Sequence, residues 1–156
     1  MRLELAMKQA QQIRSGGKAY QGGFSLLEVL VAIVIMSLGL LGLAALQATG
    51  LKNNYSAYTR SQAALYAYDM IDRLRADRQA ALSGSYNLTL AAPAPTGSTL
   101  ADTERASWLA QLAGLPAGDG SINVTTAGVV TIVVQWNDSR ATAGSSTASL
   151  QVVSQI

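Results

Sequence analysis

The 156-residue chain contains no cysteine and no histidine. Without cysteine there is no disulfide, no thiolate zinc site and no cysteine nucleophile. Without histidine the commonest general base and metal ligand are gone, which excludes serine–histidine chemistry, zinc hydrolysis of the usual kind and histidine-ligated haem. A cysteine-free chain suits either side of a membrane, so the redox compartment stays open. Charge is scarce too, at 13% against 49% hydrophobic residues, an oily balance for a soluble domain. Proline first occurs at Pro93, so no ring interrupts a helix before it. No glycine-rich phosphate loop follows a predicted strand, and no carboxylates have metal-ligand spacing. No catalytic residue, cofactor or metal site is expected.

The little charge present is unevenly placed. Residues 1–23 carry Arg2, Lys8, Arg14 and Lys18 against Glu4, and the rest of the chain is net −1. A pI of 9.1 therefore reflects a basic leader, and no nucleic-acid partner is predicted from it.

Val29–Leu51 is an uncharged run rich in Leu, Ala, Ile and Val, and extending it back to Phe24 adds one acid, Glu28. A membrane-spanning helix needs about 20 largely apolar residues, and this is the one stretch that qualifies. Four bases before it, against Lys52 at its far edge, place the N-terminus in the cytoplasm and the remainder across the membrane. A secretory signal has a shorter apolar core and a small-residue cleavage site after it. Here Leu46-Gln47-Ala48 follows the core, and the small pair Gly22-Gly23 precedes it. Cleavage before the helix would retain it as an anchor.

The string Gly22-Gly23-Phe24-Ser25-Leu26-Leu27-Glu28-Val29, opening an apolar helix behind a basic leader, resembles the leader junction of type IV prepilins and pseudopilins. The resemblance implies a prepilin peptidase that cuts after Gly23 and methylates the new amine of Phe24. It also implies an assembly charge pair made by Glu28, the acid at the fifth mature position. Glycine suits the cut because a residue without Cβ admits the protease to the backbone. Taken by itself, Glu28 also reads as a carboxylate snorkelling at a helix end, although acids at the edge of a membrane span are functional candidates by default.

The helix is expected to run from Phe24 to about Ala81. Beyond the membrane, Leu51, Tyr55, Tyr58, Leu65 and Tyr66 recur at helical spacing and are read as the packing face, continued by Met70, Ile71 and Leu74. Asp69, Asp72, Arg73, Arg75, Asp77 and Arg78 are read as a solvated surface. Gly39, Gly42 and Gly50 fit either close helix packing in the membrane or a helix soft enough to unwind on assembly. After Leu82 the composition turns to Ser, Thr, Gly, Pro and Ala. Tyr86–Leu90 is expected as a short strand, Ala91–Ser98 as a loop, and Thr103–Ala113 as a helix capped by Asp102 with Trp108, Leu109 and Leu112 inward. Gly118-Asp119-Gly120 reads as a turn, with Ile122–Thr126, Val129–Trp136 and Thr147–Val153 as strands of an antiparallel meander.

The expected fold is α+β and pilin-like, with a small antiparallel sheet packed on the outer half of a long helix. The expected organisation is a cleaved leader (1–23), a transmembrane and assembly half (24–51), an outer amphipathic half (52–81) and a β-rich head (82–156). Leu115-Pro116, Gly118-Asp119-Gly120 and Val133–Asp138 resemble the heads of minor pilins. The resemblance implies a non-enzymatic inner-membrane subunit, head in the periplasm, that joins a minor-pilin complex priming a pilus and shaping its tip. Implied partners are the prepilin peptidase, other minor pilins, the major pilin and the inner-membrane assembly platform. A minor pseudopilin of type II secretion would share the leader junction. An adhesive tip module would need a concave or aromatic surface on the head, which the sequence does not show.

Overall fold

A computed structural model describes residues 22–156. The basic leader, residues 1–21 of the expected 1–23 segment, lies outside the described residues. The chain divides into two units, one ending at Gly42 and one spanning Leu43–Ile156. Helix α1, Leu26–Ala76, is followed by a short α2, Arg78–Leu82, and by α3, Leu100–Leu112. Three strands complete the chain: β1 (Asp119–Val124), β2 (Val129–Trp136) and β3 (Ala148–Gln155). They form an antiparallel sheet in the order β1-β2-β3. The architecture is α+β and pilin-like: a long apolar N-terminal helix and a small three-stranded head.

The alternation of β2 explains why the sheet forms where it does. Val130, Ile132, Val134 and Trp136 point inward, and the residues between them are at least partly exposed, the period of a half-buried strand. Their counterparts on β1 are Gly120, Ile122 and Val124. From α1 the core receives Ala63, Ala67, Met70, Ile71 and Leu74, and from α3 Trp108 and Leu112. The indole Nε1–H of Trp108 donates to Tyr66 O at 2.9 Å, which satisfies its one polar atom. Gly120 lies so close under α3 that an added Cβ would meet the Trp108 ring and stand 2.6 Å from Leu112 Cδ1. Gly128 turns β1 into β2 at φ +82°, a conformation glycine adopts without a Cβ clash.

Six readings of the sequence are corrected. The buried face of α1 in the head is Thr59, Ala63, Ala67, Met70, Ile71 and Leu74, while Leu51, Tyr55, Tyr58 and Leu65 are exposed. The sheet and α3 pack on this face, which mixes small and large side chains, and the other large apolar residues lie on the remaining sides of the helix. Helix α1 stops at Ala76 without proline or glycine, because Asp77 leaves helical geometry (φ −118°, ψ 54°). Its carboxylate accepts from the buried Tyr86 hydroxyl at 3.1 Å. The charge run is not all solvated: Arg73 binds Asp69 at 2.7 Å and pairs with Glu104 of α3. Tyr86–Leu90 is not a strand; Leu88 alone bridges Ile122. The cap of α3 is Thr99, whose Oγ1 accepts from Asp102 N at 3.1 Å and donates to Asp102 Oδ2 at 2.6 Å. Asp102 is thus the third helical residue. Gly118 turns the chain, but Asp119 and Gly120 already belong to β1.

Burial, and then the hydrogen bond to Asp77, push the Tyr86 phenol up to about 12 from 10.0. The unfolded chain therefore loses this proton before the folded one does. The stabilisation is complete below about pH 10 and is lost as pH rises towards about 12, amounting to about 2–3 kcal/mol. Denaturant titrations across that window are expected to show this loss in the natural chain, and a correspondingly shallower one in Tyr86→Phe. Equal pH slopes for the two would refute it.

Candidate processing and assembly site

Gly22, Gly23, Phe24 and Ser25 precede α1 without regular structure and are exposed. Ser25 starts the helix: its Oγ accepts from Glu28 N at 3.1 Å, and its carbonyl accepts from Val29 N at 3.2 Å. A side-chain oxygen at this position satisfies one of the free N–H groups of the first turn. The Ser25-x-x-Glu28 spacing is the capping-box signature, so this helix start is written in the sequence itself. Glu28 sits in the first turn, where the helix dipole favours a negative charge.

Phe24 and Glu28 share one face of the helix start, where they line a shallow concavity with Val29, Ala32, Ile33 and Met36. Phe24 is 82% exposed. A Cβ added at Gly22 or Gly23 would meet nothing within 4 Å. No packing within the described residues calls for glycine there. A requirement for glycine at this point would have to come from something that approaches the backbone from outside the chain.

Every residue from 22 to 55 is exposed. The uncharged part of this run would span about 35 Å at 1.5 Å per residue, enough to cross roughly 30 Å of hydrocarbon. Gly39, Gly42 and Gly50 lie within the unbroken helix with open space around them. Among the described residues no group of three acids is placed to hold a metal ion. The groove beside β1, bordered by Pro93, Pro95 and Arg105, offers no uncommitted cation. Arg105 donates to Asp102 Oδ1 at 2.6 Å and to Asn87 O at 3.0 Å.

Residues 18–44 match the prokaryotic N-terminal methylation motif. The matched stretch contains the Gly23–Phe24 junction, the Ser25 cap and Glu28, and it ends inside the apolar part of α1. No curated protein and no solved structure matches the chain. The motif supports a type IV prepilin-like leader, which implies processing by a prepilin peptidase and assembly with pilins. One long apolar helix together with this motif fits a single-pass inner-membrane protein.

Proposed function

We propose that the chain is the precursor of a minor type IV pilin, most like the type IV pilus modification protein PilV. The peptidase would cut between Gly23 and Phe24 and methylate the Phe24 amine. The mature subunit would wait in the inner membrane with its head in the periplasm, then join a minor-pilin complex that primes the pilus and shapes its tip. The organisation follows from this: leader 1–23, membrane half 24–51, outer helical half 52–81 and head 82–156. The observation that carries the reading is the methylation motif over residues 18–44, which includes a junction leading straight into an apolar helix that is exposed as far as residue 55. The work is structural, and the partners are other pilins and the assembly platform.

The same motif would serve a minor pseudopilin of type II secretion, so the test must separate the two machines. Deletion is expected to reduce surface piliation and twitching while major-pilin synthesis and protein secretion continue. Loss of secretion with normal pili would assign the chain to the secretion machine. Unchanged piliation, twitching and secretion would refute a priming role.

A further inference from the structure

Where the apolar run meets the head, the charges of α1 are all of one sign. Between Glu28 and Asp69 the chain carries no acid, and its only charges there are Lys52 and Arg60. Lys52 directly follows Leu51, the last residue of the uncharged run, so its ammonium belongs at the edge of the hydrocarbon. Arg60 lies about 12 Å further along the helix. The fold brings a second cation to Lys52. Residues 137–147, which join β2 to β3, fold back onto α1. There Ser56 Oγ donates to Asp138 Oδ2 at 2.6 Å, and Thr142 Oγ1 donates to Asn53 Oδ1 at 2.9 Å. Arg140 stands between these two anchors in the chain and lines one concavity with Leu51, Lys52 and Tyr55. Among the described residues neither Lys52 nor Arg140 belongs to an ion pair, whereas Arg73, Arg75 and Arg105 do. The one acid in this loop is Asp138, and its carboxylate is held by Ser56. Lys52 and Arg140 against Asp138 leave this end of the head at +1.

We propose that this concavity binds the headgroup phosphate of an anionic phospholipid, in the leaflet on the head's side of the membrane that α1 crosses. Leu51 and the helix before it lie beside the acyl chains. Lys52 from the helix and Arg140 from the loop supply the cations, and the guanidinium adds a planar fork of donors that matches a phosphate. Tyr55, 43% exposed, presents its ring at headgroup depth, where amphipathic aromatic side chains are favoured. The concavity measures about 240 Å³. That is smaller than pockets enclosing a drug-sized molecule, about 300–1,000 Å³, and suits one headgroup whose chains stay in the bilayer. A site at +1 favours an anionic lipid over a zwitterionic one, whose ammonium would be held close to the same cations. The inference rests on α1 crossing a bilayer. It stands or falls separately from cleavage at Gly23 and from the choice between pilus and secretion machine.

The absence of native cysteine allows a probe at this site alone. The full-length chain carrying Ser139→Cys, an exposed position beside Arg140, is labelled with a fluorophore and placed in phosphatidylcholine bilayers. A small share of the lipid bears a nitroxide close to its glycerol, on phosphatidylglycerol in one set and on phosphatidylcholine in the other. Quenching is expected to show phosphatidylglycerol enriched about fivefold over phosphatidylcholine at the probe, the scale of one basic charge at an anionic surface. Lys52→Gln/Arg140→Gln should remove the enrichment. Lys52→Arg/Arg140→Lys, which keeps both charges, should retain it. So should Arg78→Gln, the same loss of charge just beyond the far end of α1. Inorganic phosphate added at matched ionic strength should leave the lipid in place. Equal quenching by the two lipids, enrichment that survives the glutamine pair, an equal loss in Arg78→Gln, or displacement by inorganic phosphate would overturn the proposal. No quenching by either lipid would overturn it together with the membrane placement of α1 on which it rests.

Discussion

Replacing Gly23 with leucine is expected to leave the precursor uncut, so that the membrane-inserted protein retains its basic leader. The wild-type mature protein should begin at Phe24 bearing one methyl group on its amine. The effect should be close to all-or-none, for a reason visible at the junction. Open space surrounds the Cβ position of Gly23, so the new side chain strains nothing within the described residues. Ser25 still caps the helix, and the apolar segment is unaltered. What changes is how closely a protease can approach the scissile backbone. Mass spectrometry of protein from the membrane fraction checks both statements. A mature N-terminus at Met1 or beyond Leu46, or normal cutting of the Gly23→Leu chain, would sink the prepilin reading.

Glu28→Val should have the second large effect, at a later step. Cutting at Gly23 would create an amine at Phe24 whose reference pKa is about 7.7–8, and one methyl preserves its charge. In a bundle of packed helices an unpaired charge costs several kcal/mol. Two opposite charges 4 Å apart attract by roughly 4 kcal/mol at an effective dielectric of about 20. Glu28 of an incoming subunit is therefore expected to pair with the amine of the subunit ahead and to set its register. Within its own chain the exposed carboxylate contributes no more than about 1 kcal/mol through the helix dipole, and the Ser25–Glu28 cap uses its backbone N–H. The valine variant should accordingly insert and be cut normally, while its incorporation with other pilins falls at least tenfold, a loss of about 1.4 kcal/mol or more. Co-purification with partner pilins reads this directly. Incorporation and piliation at wild-type levels would refute the pairing. It would also refute the corollary that this subunit, carrying its acid, sits behind at least one other.

What could be read in the sequence was what depends on neighbours along the chain. A long uncharged run needs lipid or other helices around it wherever the rest folds, and Gly23-Phe24 with Glu28 is a local pattern. The β-branched alternation of Val129–Trp136 gave that strand at its observed bounds, and three strands in sequence gave the meander. The tertiary structure decided what depends on distance across the fold. Which side of α1 is buried could not be read from side-chain size. The sheet and α3 cover the side that carries Ala63 and Ala67 and leave Tyr58 and Leu65 outside. At the stop, Asp77 accepts from Tyr86, a residue nine positions later whose hydroxyl needs an acceptor once it is buried. Arg73 left the solvated surface only because α3 brings Glu104 to it. The same holds for the sheet edges. Composition makes β3 neutral, but only the folded register shows that β1 is covered by Asn87 and Leu88. A row of hydrogen-bonding groups is open or closed according to which strand ends up beside it, and that is set by packing across the whole head.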